Sequence, residues 1–170
     1  MVPAADVVVG HSMAGLTIPL VEAAHRVYLC AFIPPWGQAT RTIFAEGALL
    51  PGFPDNGITR DERGRSVWVD DEFALSSMYA DVDRTVALQT YALLRPQASG
   101  IYDDEYPLSE RPAGHSTYIV GTEDRAVSPD WGRRFAPERL GVEAIEFVSS
   151  HSPMLSRPSD LANVLDELAA

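Results

Sequence analysis

Apolar and polar positions near the start of the chain follow the pattern of a strand, a helix and a second strand. Apolar runs occupy residues 6–10 and 26–33, and the first is rich in β-branched valine. Such runs are typical of strands that are buried on both faces. Residues 13–25 repeat apolar side chains at helical spacing, and Pro19 is expected to kink that helix. The arrangement predicts a parallel βαβ unit.

This strand and helix pattern is interrupted between about residues 38 and 112, where prolines, glycines and acidic residues are frequent. We interpret this segment as a mostly helical cap, inserted in a single domain that spans residues 1–170. A helix is expected over 83–95, with Asp83 as its N-cap, and a hairpin over 57–69. The many aromatic side chains of the segment either line an apolar pocket or pack the cap onto the body.

The alternation of strands and helices returns in the last third of the chain. The pattern predicts strands at 117–120 and 142–148, and helices at 128–135 and 159–169. Together the segments predict an α/β fold with about four mainly parallel strands and flanking helices.

Composition narrows the class of protein and its partners. The chain has 170 residues, 46% of them hydrophobic, which is enough for one globular core. A net charge of −11 argues against nucleic acid and anionic membranes, because phosphates would be repelled. Cys30 is the only cysteine, which excludes an internal disulfide and a thiolate zinc cluster. No signal peptide or membrane span is recognisable, so a cytoplasmic location is expected.

The residues with the clearest chemistry follow the first predicted strand. The segment Gly10-His11-Ser12-Met13-Ala14-Gly15 is close to the Gly-x-Ser-x-Gly pattern of a nucleophile elbow. Glycines permit a sharp turn and a close approach of helix to strand. We interpret Ser12 as the nucleophile and the amide N–H of Met13 as an oxyanion-hole donor. The alternative is a glycine-rich turn in which Ser12 only caps a helix.

A serine nucleophile needs a base, and the base needs an acid to orient it. Asp124 follows one predicted strand and His151 follows the last one. The carboxyl ends of parallel strands meet at one edge of a sheet, so both side chains are expected near Ser12. The chain order Ser, Asp, His also fits one known arrangement of this triad.

Other histidines and carboxylates are alternatives. His11 is adjacent to Ser12 and cannot easily reach back to its hydroxyl, His25 is expected at a helix end, and His115 in a loop. The four histidines lack metal-ligand spacing and no phosphate-binding loop is present, so neither metal nor cofactor is expected. The alternative acids are Asp103, Asp104 and Asp130, with Glu123 expected to point away from the site.

Several motifs resemble the α/β-hydrolase superfamily. They are residues 10–15, the run Gly-Thr-Glu-Asp-Arg-Ala-Val-Ser-Pro-Asp-Trp at 121–131, and the loop that carries His151. They look most like the branch of small esterases related to plant methylesterases and hydroxynitrile lyases. The cap segments Tyr79-Ala80-Asp81 and Leu94-Arg95-Pro96-Gln97 are similar to those of bacterial members. The resemblance covers essentially the whole chain.

The resemblance implies an α/β-hydrolase fold and a Ser12, His151 and Asp124 triad. The expected activity is hydrolysis of small or aromatic carboxylic esters through an acyl-enzyme, without a cofactor. In the lyase members a lysine follows the catalytic histidine, and Ser152 at that position favours ester hydrolysis over cyanohydrin chemistry. The alternatives are a weak or inactive hydrolase-like binding protein and a lyase-like enzyme. Candidate substrate contacts are His11, Trp36 and Tyr79.

The segment that precedes Ser12 is short for this superfamily. Its members place several strands and a loop with a second oxyanion-hole donor before the elbow, whereas eleven residues precede Ser12 here. The fold is therefore expected to be truncated, with the strand at 6–10 as an unpaired apolar edge. We expect a second copy of the chain to cover this edge in a homodimer. The alternative is a fragment of a longer protein, or the product of a degenerate gene.

Overall fold

A parallel four-stranded sheet organises the protein, as the hydrophobic pattern predicts. The computed structural model describes residues 5–53, 57–98 and 100–169. Its strands are β1 (Ala5–His11), β2 (Ala23–Leu29), β3 (Ile58–Arg60), β4 (Ser66–Trp68), β5 (His115–Gly121) and β6 (Ala144–Phe147). The sheet order is β1-β2-β5-β6, and every neighbouring pair in it is parallel. The remaining two strands, β3 and β4, pair antiparallel as the predicted hairpin.

Helical segments connect the strands. Among the described residues, no helix has the length and apolar character needed to cross a membrane. The α-helices are α1 (Thr42–Ala45), α2 (Asp71–Met78), α3 (Arg84–Tyr91), α4 (Pro129–Phe135), α5 (Pro153–Ser156) and α6 (Pro158–Ala169). Shorter 3₁₀ turns lie at Ser12–Leu16, Ile18–Leu20 and Gly100–Tyr102, and a π-turn lies at Ala136–Leu140.

The prediction of a helix over residues 13–25 is wrong. The segment forms the two 3₁₀ turns Ser12–Leu16 and Ile18–Leu20, and β2 begins soon afterwards. Pro19 has no backbone N–H and fixes its own φ, so a continuous α-helix does not form through it. The second strand consequently begins and ends earlier than the apolar pattern suggests.

Two histidines lie in strands rather than at the positions expected from the sequence. His25 is in β2, where Nε2 lies 2.9 Å from Thr117 Oγ1 and Nδ1 lies 3.3 Å from the carbonyl oxygen of Leu168. His115 is the first residue of β5, and its ring centroid is 6.0 Å from that of His25. Because parallel strands start at one edge and end at the other, both rings lie at the edge opposite Ser12.

Both faces of the sheet are covered by apolar side chains. On one face Val27 and Ile119 belong to a buried cluster with Leu161 of α6. On the other face Tyr28 belongs to a buried cluster with Trp131 of α4. Successive side chains of a strand point to opposite faces, so the central strands must be apolar throughout. This requirement explains the continuous hydrophobic runs in the sequence.

The segment between β2 and β5 contains α1, α2, α3 and the hairpin. The Asp83 carboxylate accepts hydrogen bonds from the N–H groups of Thr85 and Val86, so α3 begins where the sequence predicts. The helix ends at Tyr91, four residues before the predicted end. Helices α2 and α3 are joined by a buried cluster of Leu75, Tyr79, Val82 and Ala87.

Candidate active site

The turn after β1 holds Ser12 in a strained backbone conformation. Its φ of 54° lies in the left-handed region, which costs a residue other than glycine about 1–3 kcal/mol. The glycine after Ser12 is at position 15, and Ala14 occupies the position that Gly-x-Ser-x-Gly gives to glycine. A Cβ atom on Gly15 would lie 2.1 Å from the carbonyl oxygen of Phe32. The Phe32 N–H donates to the Ser12 carbonyl at 3.0 Å, so the turn packs directly on the segment after β2.

Ser12, His151 and Asp124 meet at the carboxyl edge of the sheet. Ser12 Oγ lies 2.9 Å from His151 Nε2, and His151 Nδ1 lies 2.8 Å from Asp124 Oδ2. His151 and Asp124 are 0% and 4% exposed. An ionised carboxylate only accepts hydrogen bonds, so Nδ1 carries the proton and the unprotonated Nε2 faces the hydroxyl. An imidazole placed in this way can take the hydroxyl proton.

Local backbone contacts fix the Asp124 carboxylate. Its Oδ1 atom accepts hydrogen bonds from the N–H groups of Ala126 at 2.8 Å and Val127 at 3.0 Å. The second oxygen, Oδ2, is therefore left to accept from His151. The alternative acids lie on the surface, where Asp103 pairs with Arg41, Asp130 pairs with Arg133, and Asp104 and Glu123 are exposed.

His11 contacts the backbone of His151 rather than Ser12. Its Nε2 atom lies 2.7 Å from the carbonyl oxygen of His151, so it carries the proton and donates. The two ring centroids are 4.7 Å apart. Burial, followed by the neighbouring His151 ring, lowers the pKa of His11 to about 4. His11 is thus neutral at neutral pH and supports the loop that carries His151.

A cavity of about 880 Å³ is bordered by Ser12 and His151. Its volume is in the range of small-molecule sites, and such sites are mostly apolar. Its polar lining comes from Gln97, with Nε2 at 3.2 Å from Tyr102 Oη and 2.8 Å from Met13 Sδ, and from Arg41, Arg60, Ser66, Arg95 and Asp103. The aromatic part of the wall comes from Phe32, Phe44, Phe53, Trp68 and Tyr102.

The three candidate substrate contacts lie outside this cavity wall. Trp36 packs on Tyr106 with ring centroids 5.6 Å apart, and its Nε1 donates to the carbonyl of Arg139. Tyr79 is buried in the cluster between α2 and α3, and His11 contacts the His151 backbone. Aromatic residues thus fill both roles that the sequence leaves open, since Phe44 and Trp68 line the cavity whereas Trp36 and Tyr79 pack against other side chains. The conformation of the loops decides which rings face the cavity, and residue type alone does not predict that conformation.

Met13 carries the N–H that the sequence predicts as an oxyanion-hole donor. It follows Ser12 in the first turn of a 3₁₀ helix, where backbone N–H groups have no partner within the helix. Such an N–H can stabilise negative charge that develops next to the nucleophile. Within residues 5–53, 57–98 and 100–169, no group of three or more His, Cys, Asp or Glu side chains is arranged to hold a metal ion.

Comparisons with known proteins show which family and fold the chain shares. Residues 2–164 match the model of the alpha/beta hydrolase family. The fold is similar to that of polyneuridine aldehyde esterase, with a TM-score of 0.79 and 18% identity over 96% of this chain and 71% of that one.

Two further solved structures are similar. A pyrethroid hydrolase from Sphingobium faniae JZ-2 has a TM-score of 0.76 and 20% identity over 99% of this chain and 72% of that one. Tomato methylketone synthase I, complexed with 2-tridecanone, has a TM-score of 0.75 and 24% identity over 96% and 70%. No curated protein sequence matches the chain significantly. At these identities the similarity establishes the fold.

Proposed function

The chain belongs to the alpha/beta hydrolase family, and from that premise we propose that it is a serine esterase that cleaves carboxylic esters through an acyl-enzyme. One observation carries the proposal. A continuous path of hydrogen bonds runs from Ser12 Oγ through the His151 ring to the Asp124 carboxylate. The path joins a nucleophile, a base and an acid in the order that acyl transfer requires.

The reaction follows from the positions of these groups. His151 Nε2 takes the proton from Ser12 as Oγ attacks the ester carbonyl carbon. The Met13 N–H donates to the oxygen that becomes negative, and His151 then protonates the departing alcohol. Water, deprotonated by the same ring, attacks the acyl carbon; the bond to Ser12 Oγ breaks, His151 returns the proton to Oγ, and the acid is released. Asp124 holds the ring in the required tautomer and stabilises its positive charge in both steps.

The cavity supports an ester with an apolar or aromatic group. An aromatic ring of the substrate that packs on Phe44 or Trp68 gains more free energy than the burial of its apolar area alone provides. The cavity volume also accommodates groups larger than acetate. Small and aromatic carboxylic esters are therefore the substrate class that we propose.

Ester hydrolysis by the Ser12→Ala variant tests the proposal. We expect its kcat/KM for p-nitrophenyl butyrate to fall by at least about 10⁴-fold, because the nucleophile is lost. Ser76→Ala is the matched control, since Ser76 is exposed on α2 and donates only to the Phe73 carbonyl. Its activity should equal that of the wild type.

A fluorophosphonate probe should label the wild type and Ser76→Ala, but not Ser12→Ala. Equal hydrolysis by the wild type and Ser12→Ala would contradict the proposal. Ester binding without turnover or labelling would instead favour a non-catalytic binding protein.

A further inference from the structure

The loop that carries His151 is polar in sequence and yet fully buried. Residues 149–152 are three serines and His151, and each is at most 2% exposed. Buried polar groups need hydrogen-bond partners, so the contacts of this loop determine where the His151 ring lies. The Glu123 N–H donates to the Ser149 carbonyl, and the His11 ring donates to the His151 carbonyl. A further anchor comes from the segment between β2 and β5.

Asp81 supplies that anchor from the connection between α2 and α3. Its Oδ2 atom accepts the Ser150 N–H at 3.0 Å, and its Oδ1 atom accepts the Ser150 hydroxyl. Two hydrogen bonds to one residue fix its orientation as well as its position, and an ionised acceptor strengthens both. Burial alone would raise the pKa of Asp81, but hydrogen bonds, first those from Ser150 and then those from Ser156 and the Asp81 backbone, outweigh it and the pKa is lowered.

The same connection also borders the substrate space. Met78, at the end of α2, lines the cavity together with Ser12 and His151. Asp81 follows Met78 by three residues. The segment between them therefore joins a side chain that faces the cavity to a carboxylate that holds the residue before His151.

We propose that Asp81 is a positioning residue, which fixes Ser150 and through it the His151 ring relative to Ser12. The inserted segment would then control the placement of the base as well as the shape of the cavity. This inference rests on the proposed esterase function. Its physical basis is the steep dependence of proton transfer and attack on geometry, since a displacement of about 1 Å costs about 100-fold in rate.

Variants of Asp81 and Asp83 separate positioning from simple structural support. Asp83 lies in the same connection, and its carboxylate caps α3 without contacting the His151 loop. We expect Asp81→Ala to lower kcat for p-nitrophenyl butyrate by about 100-fold, with KM within about twofold. Asp81→Asn should recover part of this loss, because its amide oxygen still accepts the Ser150 N–H. Asp83→Ala should lower the melting temperature and leave kcat within about twofold.

A proton NMR signal provides a readout that does not need turnover. The low-field resonance of the His151 Nδ1–H, which reports the bond to Asp124, should shift or broaden in Asp81→Ala and stay unchanged in Asp83→Ala. Absence of ester hydrolysis in the wild type would count against the esterase alone, because this resonance would still test the placement of the ring.

The inference is overturned if kcat of Asp81→Ala stays within about twofold of the wild type. It is also overturned if the Asp81 and Asp83 variants lose kcat equally. If Asp81→Ala does not fold, Ser150→Ala serves in its place, since it removes the hydroxyl bond and keeps the backbone bond. We expect a loss of about tenfold in kcat for Ser150→Ala, and an unchanged kcat would refute the role of Asp81.

Discussion

His11 makes the folded state sensitive to acid. Its pKa is about 4 in the folded protein, against about 6.5 for an exposed histidine. Between these values the unfolded chain binds a proton that the folded chain does not, so the free energy of unfolding rises with pH. Stability is therefore lost as the pH falls from about 6.5 towards 4. At pH 5 the expected loss is about 2 kcal/mol.

Urea unfolding of the wild type and His11→Gln, at pH 7.5 and pH 5, measures this contribution. Glutamine keeps an N–H donor for the His151 carbonyl and does not titrate, so the variant should lose about 2 kcal/mol less between the two pH values. The other histidines are present in both proteins, so the difference between the two losses isolates His11 together with its coupling to His151. An equal loss in both proteins would contradict the assignment to His11.

The residues of the predicted triad could be identified from the sequence because the topology of the sheet determines where they lie. Ser12, Asp124 and His151 follow parallel strands, and such strands end at one edge of a sheet whatever the loops do. Trp36 and Tyr79 carry no such constraint, since their directions depend on loops and on the packing of the inserted helices. Asp81 lies in the cap segment 79–81, which the sequence analysis singles out. Its contact with Ser150 joins segments that are distant in the chain, so no local sequence pattern predicts that contact.

At the scale of the elements, the close packing of the turn after β1 on the segment after β2 depends on Gly15. A Cβ atom there would lie 2.1 Å from the Phe32 carbonyl oxygen and 2.9 Å from Ala31 Cβ. We expect Gly15→Ala to lower the free energy of unfolding by about 3 kcal/mol, because backbone must move to relieve the overlap. Chemical denaturation measures the change.

Gly100→Ala is the matched control for this substitution. Nothing lies within 4 Å of a Cβ atom placed on Gly100, which is in a 3₁₀ turn of the inserted segment. Its free energy of unfolding should stay within about 0.5 kcal/mol of the wild type. A Gly15→Ala variant as stable as this control would show that the turn can separate from Phe32 at little cost.

Elements with a cap residue or a regular apolar pattern could be predicted from the sequence. Helix α4 begins after Ser128, whose hydroxyl accepts the Trp131 N–H, and α6 has a continuous apolar face. Residues 13–25 show a similar pattern but contain Pro19. They form 3₁₀ turns that bury Leu16 and leave Leu20 53% exposed. Periodicity therefore does not by itself distinguish an α-helix from tighter turns, nor does it show which apolar side chains such turns bury.

At the scale of the whole molecule, β1 is an edge strand of the described sheet. It pairs with β2 on one side, and Val9 in its middle is 41% exposed. We propose that a second copy of the chain covers this edge in a homodimer, because long apolar edges invite pairing with another strand. Sedimentation at micromolar concentration should give the mass of a dimer.

Lysine substitutions test this assembly at two exposed valines. Val9→Lys should shift the protein to a monomer, since a charged side chain on an edge strand disfavours pairing. Val69→Lys, at a site that is 62% exposed in the inserted segment, should leave the mass unchanged. A wild-type monomer at the same concentration would contradict the proposal.

The neighbouring central strands, β2 and β5, are adjacent in space but are separated in sequence by the whole of residues 30–114. Bringing them together closes a long loop. This closure costs conformational entropy before any contact between the strands can offset the loss. Helices and hairpin within the loop can form early, since their contacts are local. Ser12 precedes this loop in the chain, whereas Asp124 and His151 follow it. A refolding population should therefore regain its helices before these three side chains come together.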